Sequence, residues 1–372
     1  MVSNSKKLLL STPNFGTISQ MDLEKPTIRS LLKRRDRLRC FRISLLSGLF
    51  SGVFFAFVDF SFNASDPFFQ RFLTAFIIGT LIPAVYLSIR NEFLYSIQIR
   101  RIRYLYVVLF STLTLMLCAI AINTLVGFFL FRDQVFTWSG LWPSILMSVI
   151  ISFIYTLLEA IRNFTGKSVI LNVLLGRYHR AIQEDIVLMF IDLKASTPTA
   201  EKLGSVKFFH FLNEFHEKVE ACARYFDGTI YKYLGDGQII IWPKLKADLA
   251  LEMILSLDSE FKEIQPQMAK RFQQEINYTA GIHSGICLVG EIGTERKEIG
   301  YWGDTINTAQ RIQDLCKEYQ TNLLFSEPFY QSLSSQIKQK NNFNLISEVK
   351  LRGKQIPISL YSLNNAKSDI PH

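Results

Sequence analysis

Apolar positions crowd the first half of the chain, and strand-like and helical periods alternate in the second. Four stretches in the first half read as helices that cross a bilayer: about Ile43–Phe60, Phe72–Ile89, Tyr104–Phe131 and Leu141–Leu158. A hydrocarbon core of ~30 Å takes about 20 apolar helical residues. The third stretch is longer than that, which predicts tilt. Arg29, Lys33, Arg34, Arg35, Arg37, Arg39 and Arg42 precede the first stretch, and Arg90, Arg100, Arg101 and Arg103 separate the second from the third. The other two loops carry only Arg71 and Arg132. Cytoplasmic loops are the basic ones, so both termini are predicted on the cytoplasmic side of a cell (inner or plasma) membrane, with the chain multi-pass.

The second half changes period. Ile186–Asp192 is a continuous apolar run ending in an acid, the pattern of a buried strand. A helix is predicted over 197–225. Strands at Thr229–Leu234 and Gln238–Trp242 flank a Gly235-Asp236-Gly237 turn, and a helix follows over 246–273. Asn277–His283 and Ile286–Ile292 read as a second strand pair around Ser284-Gly285. A helix from Asp304 and shorter strands near 322–325, 345–350 and 356–362 complete the run. This order predicts a ferredoxin-like α/β sheet. Four regions result: a basic tail over 1–42, a four-helix transmembrane domain over 43–158, a linker over 159–184, and an α/β domain over 185–372. In the linker, Val169, Ile170, Val173 and Leu174 recur at helical spacing and could pair with a parallel copy.

Composition narrows the chemistry. Lys and Arg total 41 against 32 Asp and Glu, a net charge of +9. The clusters at the membrane borders account for this excess, so anionic lipid is the expected partner and nucleic acid is not. The five cysteines form no CxxC pair, which excludes a disulfide framework and a structural zinc site. With about ten residues in each outer loop, no external sensor domain is expected.

Three stretches carry candidate chemistry. Asp192 ends a buried strand, where an unpaired carboxylate is costly, and the backbone amides of Lys194, Ala195, Ser196 and Thr197 open the next helix. Asp192 could hold a cation against a triphosphate there, or simply cap the helix. Asp236 could serve a plain hairpin turn, but a ferredoxin-like sheet would bring it beside Asp192, and two such carboxylates suit a two-metal site. Asn307 and Arg311 stand four apart after Gly303-Asp304 and share one helical face. That face could bind ribose and phosphate or merely be solvated. His210, His283, Trp242 and Trp302 read as structural or packing residues.

Taken jointly, F-x-D…K-x-x-G-D…G-I-H-x-G…G-D-x-x-N-x-A-x-R resembles the catalytic domain of class III adenylate/guanylate cyclases over roughly 184–318, and less closely over 349–361. The resemblance implies a membrane-anchored adenylate cyclase that converts ATP to 3′,5′-cyclic AMP and pyrophosphate. It implies two Mg²⁺ or Mn²⁺ ions held by Asp192, Asp236 and the Leu193 carbonyl. It also implies that Asn307 orients the ribose and Arg311 stabilises charge on the α-phosphate. These two would act across a homodimer with two composite sites. Arg352, in Leu351-Arg352-Gly353-Lys354, matches the triphosphate-binding position, and Lys232 matches the adenine-reading lysine. Gly300 falls where the family places a side-chain acceptor for the adenine amino group; glycine has no side chain, so a backbone carbonyl or a neighbour would have to substitute. A guanylate cyclase, or a weakly catalytic nucleotide-binding membrane module, is the alternative.

Overall fold

The computed structural model describes residues 27–61, 68–94, 176–294, 298–351 and 356–363, and scattered helical positions between 106 and 157. Helix α1 (Ile28–Ser61) and helix α2 (Phe68–Leu94) open the chain. Strand β1 (Ile182–Leu193) leads to α3 (Ser196–Leu203) and α4 (Ser205–Tyr225), then β2 (Thr229–Leu234) and β3 (Gly237–Pro243). Next come α5 (Ala247–Phe272), β4 (Tyr278–Ile292), β5 (Glu298–Trp302) and α6 (Asp304–Glu318). Strand β6 (Leu323–Ser326), α7 (Glu327–Ser332), α8 (Ser335–Lys340), β7 (Phe343–Val349) and β8 (Ile358–Leu363) end the described chain.

The strands form one sheet in the order β2-β3-β1-β4-β6-β8-β7, with β5 paired to β4. Among the described strands, only the β4–β6 pairing is parallel. The first four strands reproduce the ferredoxin-like arrangement expected from the element order. Phe211 and Phe215 of α4, Leu251 and Phe261 of α5, and Val187, Met189 and Trp242 of β1 and β3 share one core. Each such side chain contributes about 1.5–3 kcal/mol by leaving water. The opposite face of the sheet packs Leu188, Phe190, Ile239 and Cys287 against Ala309 of α6.

Three expectations are corrected. Ser284-Gly285 is not a turn: β4 runs straight through it, with Ser284 opposite Val187 and Gly285 opposite Ile186. Glycine is needed there because a Cβ would stand 2.7 Å from Thr305 Oγ1 at the start of α6. The helix predicted over 197–225 is two helices, broken at Gly204, whose φ is +72°. Strand β1 begins four residues before its predicted start and takes in the end of the predicted linker.

The first two predicted membrane stretches lie within α1 and α2. Helix α1 also runs unbroken through the basic stretch and across the 42/43 boundary. Most of the third and fourth stretches, and residues 159–175 of the linker with its apolar helical positions, lie outside the described residues. Among the described residues, no helix is long and apolar enough to cross a membrane. The start of α1 docks on the α/β domain instead of standing clear of it. Ile28 and Leu32 are buried in the α4–α5 core. The Ile28 N–H donates to Glu260 Oε1 at 2.7 Å. Arg35 donates to the carbonyls of Arg224 and Tyr225 at the end of α4, and Asp36 pairs with Arg224 at 3.0 Å.

Candidate active site

Asp192 stands at the end of β1, directly opposite Gly237 of β3. A Cβ at position 237 would lie 2.9 Å from Asp192 Oδ1, so only glycine leaves the carboxylate its place. Asp236 precedes that glycine, in a turn made possible by Gly235 at φ +61°. The β1–β3 register therefore brings Asp192 and Asp236 together. Burial, then the Asp236 charge, pushes the Asp192 carboxyl up to about 6; the Leu193 amide partly offsets this and Asp314 adds to it. Asp192 does not cap the following helix, which starts from Ala195 in a left-handed conformation without a side-chain cap.

Among the described residues, no group of three or more His, Cys, Asp or Glu is placed to hold a metal. Two crowded carboxylates and a main-chain carbonyl are a hard oxygen donor set. Such a set fits Mg²⁺ or Mn²⁺ that takes its remaining ligands from water and phosphates. Leu193, whose carbonyl is the third candidate ligand, is buried. The Lys194 amide is already used by Asn277 O at 2.8 Å, and its Nζ donates to Asn322 Oδ1 at 2.7 Å. Ser196 and Thr197 form the first turn of α3, where amides have no partner within the helix.

Helix α6 presents the other polar set. It starts after Gly303, at φ +139°, so neither Asp304 nor Thr305 is the N-cap. Thr305 instead anchors the helix by donating to Ile286 O at 2.8 Å. Asn307 and Arg311 line a recess of about 500 Å³ with Gln310, Asp314, Leu315, Val349, Lys350 and Leu351. Neither Asp192 nor Asp236 is in that lining. Asp314 of that lining does act on the Asp192 carboxyl, so the recess and the carboxylate pair stand on neighbouring parts of the chain without sharing a lining.

Lys232 is exposed on β2, next to a bulge at Tyr231. Tyr231 packs edge-on against Tyr301 at 4.8 Å, and its hydroxyl accepts from the Tyr301 N–H at 3.3 Å. This contact holds the strands of Lys232 and Gly300 together. Gly300 is buried, and a Cβ there would meet the Trp302 ring at 2.2 Å. An indole therefore fills the space that a side chain at 300 would need. Arg352 lies outside the described residues.

The recess adds Lys350, Gln310 and Asp314, which sequence reasoning did not single out. Lys350 directly follows β7 and has no local signature of its own. His283 is structural, buried with Nδ1 2.7 Å from Ser326 Oγ. Trp242 is fully buried and donates to Phe226 O at 2.9 Å.

Residues 179–365 match the model of the adenylate and guanylate cyclase catalytic domain. Adenylate cyclase 2 of Rhizobium meliloti (strain 1021) is 27% identical over 212 residues, 56% of this chain and 58% of that protein. An adenylate cyclase of Anabaena cylindrica is 29% identical over 184 residues, 48% of this chain and 36% of that protein. The chain thus spans less than two thirds of the length of these relatives. A solved bacterial light-regulated adenylyl cyclase shares the fold, with a TM-score of 0.53 and 18% identity over 60% of this chain and 66% of that one.

Proposed function

Because the chain belongs to the adenylate and guanylate cyclase catalytic-domain family, we propose that it is a membrane-anchored adenylate cyclase acting as a homodimer. The observation that carries the reading is the Asp192–Asp236 pair, held across β1 and β3 at the cost of burying charge. In the proposed reaction the ribose 3′-oxygen attacks the α-phosphorus of ATP. The bond from that phosphorus to the oxygen bridging to the β-phosphate breaks, pyrophosphate leaves, and the hydroxyl proton passes to solvent. Mg²⁺ or Mn²⁺ bound at Asp192, Asp236 and the Leu193 carbonyl would acidify the hydroxyl and screen the phosphates. Asn307 orients the ribose, and Arg311 meets charge developing on the α-phosphate. Lys350, in the same recess, and Arg352 supply cations toward the departing pyrophosphate. The amides of Ala195, Ser196 and Thr197 serve the phosphates, and Lys194 adds positive charge beside them.

A dimer in which each site draws on both chains is the arrangement that the cyclase resemblance implies for Asp192 and Asp236 of one chain and Asn307 and Arg311 of the other. Lys232 donates to adenine. Gly300 offers no side-chain acceptor, and this favours a second reading as a guanylate cyclase or an enzyme of mixed choice. Bilayer placement is supported by the sequence pattern and by apolar side chains left exposed on α1, among them Phe41, Leu46, Phe50 and Val53. With the basic flanks inward, the catalytic domain faces the cytoplasm.

The test is turnover of ATP and GTP by the full chain under Mg²⁺ and Mn²⁺. Wild type is expected to form cyclic AMP faster than cyclic GMP, and Asp192→Ala and Asp236→Ala are each expected to abolish both. Full turnover by either variant would remove the metal assignment. Faster cyclic GMP formation would select the second reading.

A further inference from the structure

Asp236 sits on a turn that has little stiffness of its own. Gly235 has no side chain, and a Cβ there would touch nothing within 4 Å. The neighbouring Asp192 carboxylate repels Asp236, which pushes the turn outward whenever no cation bridges them. One side chain outside the site grips this turn. His216 of α4 lies with Nε2 3.3 Å from Gly235 O and Nδ1 2.6 Å from Gln238 Nε2. Gln238 is fully buried and follows Asp236 by two residues, opposite Ile191 on β1.

The hydrogen-bond roles follow from the amide. Gln238 Nε2 is also 3.4 Å from His216 O, so it faces two acceptors. Turning the amide over would set its oxygen against that carbonyl. The amide therefore donates to Nδ1, the ring proton sits on Nε2, and Nε2–H donates to Gly235 O. In this orientation Gln238 Oε1 is buried without a hydrogen-bond partner among the described residues. Such an acceptor is expensive, so Gln238 is oriented for His216 and not for its own best bonding. The edge of Tyr233, packed at 5.3 Å, keeps the ring in place.

We propose that His216, locked by Gln238, is a positioning residue that holds the Gly235–Asp236 peptide so that the two carboxylates stay ready to share cations. The proposal rests on the cyclase reading, and it adds residues that touch neither metal nor nucleotide. Partners that orient ligands without binding metal typically change metal affinity by about 10–100-fold.

The experiment measures Mn²⁺ binding by electron paramagnetic resonance, in the presence of 3′-deoxy-ATP, alongside cyclic AMP formation and thermal unfolding of the full chain. His216→Phe fills the space without the donor. It is expected to weaken Mn²⁺ binding about ten-fold and to raise the Mn²⁺ needed for half-maximal turnover by the same factor. At saturating Mn²⁺, the KM for ATP is expected to change less than about two-fold, because the nucleotide contacts remain. His216→Gln keeps an N–H donor and is expected to recover most of the affinity. Gln238→Leu gives a second route to the same loss if His216→Phe does not fold. Wild-type Mn²⁺ affinity in folded His216→Phe or Gln238→Leu would overturn the tether and leave the cyclase reading standing. Absence of Mn²⁺ binding and turnover in the wild type would overturn both.

Discussion

At the scale of single residues, the site depends on one carboxylate kept where water is scarce. Asp192 is raised to about 6, from an ordinary value near 3.8, by burial and by Asp236. As pH falls through 6 it gains a proton and ceases to attract a cation. At pH 5 about one tenth of it remains ionised, so Mn²⁺ binding is expected to be about ten-fold weaker than at pH 7.5. A Mn²⁺ titration followed at pH 5, 6 and 7.5 checks this, and a flat affinity over that range would contradict it. For the metal-free chain the sign runs the other way. The raised carboxyl favours the folded state at pH below 3.8, and that contribution is gone once pH has risen through about 6. Residues of this kind are partly legible in sequence. An acid ending an apolar run is visible, whereas the His216–Gln238 pair joins positions 22 apart and has no local signature.

At the scale of elements, two contacts place the chemistry. Helix α6 lies so close to β4 that a Cβ on Gly281 would stand 2.3 Å from Gln313 N and 2.7 Å from Ala309 O. Both are backbone atoms and cannot turn aside. Gly281→Ala is therefore expected to shift α6, and Asn307 and Arg311 with it, at a cost of about 1–3 kcal/mol. Thermal unfolding and turnover measured together check it, and an unchanged melting temperature would show the approach to be looser. The second contact is α1 on α4. Arg35 caps the last carbonyls of α4, packs over the Tyr225 ring at 5.7 Å and lies 3.6 Å from Asp227. Arg35→Ala is expected to cost about 1 kcal/mol, since a cation at a helix C-terminus loses both hydrogen bonds and the helix dipole. Chemical denaturation of the full chain in detergent reads this directly. From sequence, the arginines before the first apolar stretch have a complete explanation as topology anchors. Nothing local told that one of them also reaches a carbonyl about 190 residues away.

At the scale of the whole molecule, the proposed dimer, with Asp192 and Asp236 of one chain serving Asn307 and Arg311 of the other, has a countable consequence. Asp192→Ala and Asn307→Ala chains are each expected to be inactive alone. Mixed in equal amounts, half of the dimers are mixed, and each holds one intact site of two. Activity of about one quarter of wild type is expected if exchange is free and the sites act independently. Cross-linked mixed dimers with no activity would exclude shared sites. The same scale joins the two halves of the chain, because α1 carries the first apolar stretch and also buries Ile28 and Leu32 in the α/β core. A movement of α1 thus reaches the end of α4 and the turn into β2, the strand that leads to Asp236.

What the sequence determined by itself is everything written in local period and short spacing. The strand ending at Asp192, the hairpin at Gly235-Asp236-Gly237 and the Asn307–Arg311 pair on one helical turn follow from side-chain alternation, turn chemistry and helical pitch. Only the tertiary structure decided where glycine marks a close approach and where it marks a turn. Gly285 looked like a turn residue beside Ser284, yet it keeps β4 straight under Thr305. It decided the break at Gly204, the strand β5, the place of Lys350 in the recess and the contact of His216 with the Gly235 carbonyl. Each of these depends on a neighbour distant in the chain. A one-dimensional pattern records which residues want to be buried, and folding decides what they are buried against.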